Sequence, residues 1–250
     1  MKIVLKRIGA YLLDIILVSL VATMLTSNSY INKDYKKYNE TYDAYIEKNE
    51  DYTSYYEKLQ NFYEDEEIEE KEYNKLLKFD KEYTKDLTKY YKDKKIESNE
   101  YEKIIEKLNT SYNKIEIDYS YKLLKYSVIP TIVNLMCIML YFVVFQFYFN
   151  GQTFGKKIMK IKVVSNSKKD LTILNFFIRS LIVNELFINI LSVICLMILS
   201  KNNYLTYNQI IYVITYIIEM TFLLMIVFDK NGRSLHDYIS NTKVVEVIKE

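Results

Sequence analysis

Three arginines, Arg7, Arg179 and Arg233, stand against 31 lysines in a chain of 250 residues. A guanidinium presents five donors in a planar fork that an ammonium cannot copy. Arginine kept at three places amid such a bias toward lysine therefore points to bidentate work on a carboxylate or an anion. Each has an acid at helical or turn spacing: Arg7 with Asp14, Arg179 with Glu185 and Arg233 with Asp237; the fork of Arg7 can also turn sideways toward the His236-Asp237 segment. The other reading is snorkelling of each side chain to the rim of a membrane. Asp14 falls two turns, about 10 Å, beyond Arg7 and inside an apolar run. A carboxylate near the centre of a membrane helix costs roughly 2.5–3.5 kcal/mol on insertion scales, so it must face protein or water. Glu219 lies near the middle of another apolar run, and Glu185 with Asn184 and Asn189 polarises a third. The three carboxyls could line one cavity that holds a cation or proton, or each could be paired between helices.

Other chemistries find no support. Cys137 and Cys195 sit in apolar runs, and with one histidine, His236, they make no metal-ligand pattern. No nucleophile has a neighbouring base, so an enzyme is not expected, nor is a cofactor. Gly151-x-x-x-Gly155-Lys156-Lys157 has three residues between its glycines and no Ser or Thr after the lysine, which fails the spacing of a phosphate-binding loop. The glycines fit a tight turn where the chain leaves a bilayer, and the lysines then sit among anionic headgroups.

The elements that must position these residues come from a chain of two unlike materials. Residues 27–126 carry 19 Lys and 24 Asp or Glu, net −5, while the flanks carry 15 basic and 8 acidic residues, net +7. Charge near zero with an acidic middle offers no basic face for nucleic acid. The flanks hold four apolar runs, Ile8 to Thr26, Ser127 to Phe149, Leu174 to Leu199 and Tyr207 to Phe228, and about 20 residues suffice to cross a bilayer. Lys2, Lys6 and Arg7 before the first run resemble a secretory leader, but Asp14 within the run and the lack of an A-x-A-like site favour a retained anchor. Basic residues alternate between links: residues 1–7, then Lys156, Lys157, Lys160, Lys162, Lys168 and Lys169, then Lys230, Arg233, Lys243 and Lys249, whereas Ser200 to Thr206 holds Lys201 alone. Both termini are thus expected inside and the acidic middle outside.

That middle lacks Gly and Pro, and places apolar or Tyr residues at 35, 38, 42, 45, 52, 56, 59 and 63. Steps of three and four predict helix with a heptad stripe. A repeat, Ile68-Glu69-x-x-Glu72-Tyr73 against Ile96-Glu97-x-x-Glu100-Tyr101, predicts helix starts near 69 and 97. A segment that returns to the membrane needs an even number of helices, so a further break near Asn49 is expected. Eighteen of the 26 tyrosines lie here; a helical aromatic stripe reads as core lining before ligand surface.

The flanks resemble the RDD family of membrane proteins, named for one arginine and two aspartates. Lys6-Arg7-Ile8-Gly9-Ala10-Tyr11-Leu12-Leu13-Asp14 is similar to its first-span start, with Arg7 the arginine and Asp14 the first aspartate. Gly151-Gln152-Thr153-Phe154-Gly155-Lys156, followed by Ile161-Lys162-Val163-Val164, resembles the link after the second span. Asp229-x-x-x-Arg233-Ser234-Leu235-His236-Asp237 with Asn241-Thr242-Lys243-Val244-Val245 resembles the closing motif, which makes Asp237 the second aspartate and Asp229 its alternative. The long insert departs from the family, whose first two spans are joined by a short connection.

The expected fold is all-α: a four-span transmembrane bundle of residues 1–26 and 127–250, with an extracytoplasmic, coiled-coil-like helical insert at 27–126, in the plasma membrane of a bacterium. The resemblance implies transport of a cation or small solute, with proton exchange in some members. Partners on this reading are the lipid bilayer, a cation or proton, and a second copy, since four spans alone make a narrow pathway. The alternative is a non-transporting scaffold whose insert binds a partner outside the cell. Cysteine labelling in intact cells should reach position 99 directly and position 231 only after permeabilisation; labelling at 231 in intact cells overturns the both-ends-inside topology.

Overall fold

The computed structural model describes residues 2–65, 98–167, 170–229 and 232–247. The chain divides into two compact units, Met1–Tyr35 with Ser127–Glu250, and Lys36–Tyr126.

In the first unit, α1 (Lys2–Thr26) buries Ala10, Asp14, Val18 and Ala22, a stripe at i, i+4 spacing made mostly of small residues. Its remaining faces expose Leu12, Ile16, Leu20 and Met24. Such an apolar exterior suits hydrocarbon and is unusual for a water-facing helix. Val18 meets Leu135, Ile138 and Phe142 of α4 (Val128–Tyr148) in one apolar cluster with Leu186. Pro130 lies in the first turn of α4, where its missing N–H leaves no helical bond unmade. The segment Leu140–Phe145 of α4 is wound as π-helix, a local extra residue of the kind that re-aims side chains.

After α4 the chain reverses at Asn150 and Gly151, both at positive φ. A Cβ on Gly151 would lie 2.1 Å from the Val163 carbonyl oxygen, so the turn requires glycine. The short α5 (Phe154–Ile158) follows, capped by Thr153, and then β1 (Ile161–Ser165). β1 pairs antiparallel with β2 (Thr242–Glu246), Val163 opposite Val244. The all-helical expectation therefore needs correction by a two-stranded sheet. Ile161, Val163 and Val244 point into a second cluster with Ala10, Val143 and Phe176, while the alternate residues face out.

The run from Leu174 to Leu199 is not one helix. It is α6 (Ile173–Val183) and α7 (Leu186–Ile198), bent by 63° at Asn184 and Glu185. Glu185 takes the left-handed conformation, φ 51°, which a right-handed helix cannot continue through. The long helix α8 (Lys201–Phe228) follows, then α9 (Leu235–Ile239) before β2. Among the described residues two helices, Ile3–Thr26 and Val128–Tyr148, are long and apolar enough to cross a membrane, and the bent pair raises this to three.

In the second unit, α2 (Tyr35–Asp65) and α3 (Ser98–Tyr126) pack through tyrosines. Tyr52 stacks on Tyr112 at 3.9 Å between ring centroids and donates to Asn109 at 2.6 Å; Tyr112 donates to Asn49, and Tyr45 meets Tyr119 at 5.9 Å. Partner numbers fall along α3 as they rise along α2, so the helices run antiparallel and the pair returns to its starting end, where Lys37 sits over the Tyr126 ring. The break expected near Asn49 is absent: α2 runs through it, and the Asn49 side chain bonds across to α3 instead. The helix starts expected near 69 and 97 both lie outside the described residues.

The packing of α5 on α1 gives a sharp test. A Cβ on Gly155 would lie 2.2 Å from the Ala10 carbonyl oxygen, backbone that cannot give way, whereas one on Gly9 meets the flexible end of Met159 at 2.7 Å. Gly155→Ala should cost about 3 kcal/mol and Gly9→Ala less than about 1.5 kcal/mol, measured by thermal melting of the detergent-solubilised chain followed at 222 nm; equal losses would refute this contact.

Candidate functional site

Asp237 occupies the third position of α9, and its carboxylate accepts from the Ser234 N–H at 3.1 Å in a capping box. That leaves acceptor capacity on both oxygens, and two arginines take it. Arg7 of α1 reaches one oxygen at 2.6 Å and Arg179 of α6 the other. Arg7 also donates to the Gly232 carbonyl, and Arg179 to the Thr242 hydroxyl at 2.9 Å. One fully buried carboxylate thus ties α1, α6, α9 and β2 together. Burial alone would favour the neutral acid, but the adjacent Arg179 and Arg7 outweigh it and hold the Asp237 carboxyl well below the usual carboxylate range.

His236 is buried beside this pair. Its Nε2 lies 3.3 Å from Arg7, which can only donate, so Nε2 is the acceptor and the proton sits on Nδ1, toward the Ser234 hydroxyl. Burial, then the proximity of Arg179, pushes the imidazole well below its ordinary value and keeps it neutral.

Asp14 forms a separate centre. It accepts from the Tyr141 hydroxyl at 2.7 Å, from the Gly155 N–H at 2.7 Å and from the Thr153 hydroxyl. The π-wound segment of α4 brings Tyr141 there, and Gly155 lets the first turn of α5 approach, so Asp14 sits at the positive end of a short helix as an added cap. Lys156 lies close by, its Nζ 4.0 Å from Asp14 and 3.4 Å from Thr153 Oγ1, and over the Phe142 ring at 5.6 Å. Burial, reinforced by Arg179 and only partly offset by Asp14, lowers the ammonium to about 7.

These contacts revise the pairings read from spacing. Arg7 takes Asp237, one of the two partners open to it, and not Asp14. Arg179 turns to Asp237 and away from Glu185. Arg233 stacks on the Tyr238 ring at 4.0 Å, while Asp229 accepts from the Arg233 N–H at 2.9 Å and the Tyr238 hydroxyl at 2.6 Å, closing the turn before α9. Lys156, expected at lipid headgroups, is folded inward; Lys157 remains exposed. The three intramembrane carboxyls do not share one cavity. Glu185 and Glu219 of α8 are electrostatic neighbours, apart from Asp14.

A cavity of about 270 Å³ does open between α1, α4, α6 and α9. Its walls are largely apolar, from Leu12, Phe142, Phe176 and Phe222, and Arg7, Lys156, Arg179 and His236 line it beside them. Spacing gave no sign of Tyr141 or Thr242, which act only through long-range contacts. The rarity of arginine did mark Arg179.

Removing the shared carboxylate should be costly. Asp237→Asn leaves two buried guanidinium groups facing one neutral amide, and a loss of about 3–5 kcal/mol is expected; replacing Arg7, Arg179 and Asp237 together by apolar residues should recover most of it. Because the folded carboxyl is depressed, its contribution is present above the unfolded value near about 4 and lost as pH falls below it. Thermal melts of the wild type should therefore drop below about pH 4 in a step that Asp237→Asn lacks.

The sequence profile of the RDD family matches residues 105–241. No curated protein and no solved structure matches the chain. The matched stretch begins within α3 and holds Thr153, Gly155, Arg179 and Asp237, and the residues of α1 that lie before it, Arg7 and Asp14, bond directly to that stretch. On the extent of this match, the chain belongs to the RDD family.

Proposed function

We propose that this chain is a four-span membrane protein, with both termini inside and the insert outside, that carries a small solute across the plasma membrane. The observation that carries this reading is the largely apolar cavity whose lining also includes Arg7, Lys156, Arg179 and His236. Concave, mostly apolar spaces with a few convergent polar groups are what small ligands occupy. The fourth span is α8, whose 28 residues are ample for a bilayer and whose Ile210, Val213, Ile217, Leu224 and Val227 face outward.

Protons enter this reading through Glu185 and Glu219. Two neighbouring carboxylates repel unless one of them holds a proton, so the pair is suited to load and release one as the helices move. Asp14 and Asp237, saturated with donors, serve as fixed anchors of that motion rather than as carriers. A cation in the cavity would face three basic side chains, which favours an uncharged or anionic solute over the cation that the family resemblance implies.

Proteoliposomes loaded with a pH-sensitive dye provide the test. With an imposed gradient of candidate solutes, inorganic cations in one series and organic acids in another, wild-type protein should move protons with the solute. Glu219 is exposed on α8, so Glu219→Gln should fold normally and reduce proton movement at least tenfold. Unchanged proton movement in folded Glu219→Gln removes the carboxyl pair from the mechanism, and no solute-linked movement in wild type removes transport.

A further inference from the structure

The charges around the cavity do not balance. Among the described residues, three basic side chains, Arg7, Arg179 and Lys156, are gathered there with two carboxylates, Asp14 and Asp237, and His236 is neutral. Asp237 is fully engaged by the two arginines and Ser234. Asp14 is engaged by Tyr141, Thr153 and Gly155, and stands 4.0 Å from Lys156, too far for a close ion pair. The hydrogen bonds of Arg179 all leave from Nη1. A surplus cation beside an apolar space is expensive unless an anion joins it or its proton leaves.

We propose that the cavity is a binding site for a small amphiphilic monoanion, its charged group between Lys156, Arg179 and Arg7 and its apolar tail along Leu12, Phe142, Phe176 and Phe222. This deepens the transport reading above by naming the solute class. The size follows from volume. A cavity of ~150 Å³ accepts benzene, so about 270 Å³ takes a molecule of roughly ten to twelve heavy atoms, such as a medium-chain or arylalkyl carboxylate. Inorganic phosphate would meet the basic groups but leave the apolar walls uncovered. A soluble acid and the charged head of an anionic lipid share the recognised chemistry.

A pH dependence follows. Lys156 is faced by Asp14 and Arg7 from α1, Tyr141 from α4, Arg179 from α6 and His236 and Asp237 from α9, and in the empty cavity it is only partly protonated near pH 7. An anion favours its charged form. Above pH 7 binding must therefore take up a proton, and Kd should rise about tenfold per pH unit; below pH 7 it should level off.

The test is calorimetric titration of octanoate, ionised throughout, into the full chain in phosphatidylcholine nanodiscs between pH 6 and 8.5, with empty nanodiscs subtracted. Expected are saturable binding, Kd climbing above pH 7, and at least tenfold weaker binding of octan-1-ol. Lys156→Arg should bind octanoate with a nearly flat pH profile, and Lys156→Gln should bind at least tenfold more weakly, both judged against an unchanged melting profile. Should one variant fail to fold, the octanol comparison and the wild-type pH profile still decide. Repeating the titration in phosphatidylglycerol nanodiscs separates the sources: weakened octanoate binding marks the lipid as occupant, unchanged binding marks a soluble acid, and both keep the site. Octan-1-ol binding as tightly as octanoate, or a wild-type Kd indifferent to pH, overturns the proposal. Octanoate binding without flux retires transport and leaves the site, whereas flux without octanoate binding retires the site and leaves transport.

Discussion

The buried carboxylate of Asp237 is the point on which the first unit turns. A lone ion in that position would cost several kcal/mol, and a lone arginine beside it no less. Bringing Arg7, Arg179 and the Ser234 N–H onto one acid satisfies all of them together, but only if α1, α6 and α9 converge within a few ångströms. The chemistry of the pair therefore sets the packing. Asp14 repeats the arrangement with neutral donors, fixing α5 and the turn at Thr153 against α1. Between the two anchors the walls are largely apolar, so the space left over is a cavity whose charge is decided by Lys156.

The sheet shows how a modest element can matter here. β1 and β2 have five residues each and would not persist alone in water. They hold because Ile161, Val163 and Val244 bury against Ala10 and Phe176, and because Thr242 lends its hydroxyl to Arg179. The sheet is thus joined to the charge network on one side and to the first helix on the other.

Apolar length made the membrane-length helices legible, since it depends only on local composition. Arginine scarcity marked Arg7 and Arg179, and burial cost marked Asp14, again without any partner being known. Pairing was legible only in part: the place of Arg7 at the rim pointed to Asp237 as well as Asp14, but spacing along one helix describes neighbours on that helix, while Arg179 and Asp237 find each other across the fold. The strands escaped for the same reason. Ile161-Lys162-Val163-Val164 and Thr242-Lys243-Val244-Val245 are near copies, yet no tight turn joins them. The break at Glu185 was hidden by its surroundings, which are apolar enough to read as one helix, although Asn184 and Glu185 together were a usable sign. In the insert the break near Asn49, inferred only from the need for an even number of helices, is absent, and Asn49 instead accepts from Tyr112 across the pair.

The separation of Arg7 from Asp237, 230 residues, also has a meaning in time. Synthesis proceeds at about 5–20 residues per second, so roughly ten to fifty seconds pass between the emergence of the two partners, and the 100-residue insert accounts for much of the interval. Through that interval the first helix is already made while its guanidinium has no carboxylate to meet. A long side chain placed one turn from a helix end can bend back to the aqueous boundary and wait there, which a short one at the position of Asp14 cannot do. The location of Arg7 near the start of α1 thereby reconciles a partner made late with an apolar helix made early, and α9 acts as the latch that closes the first unit.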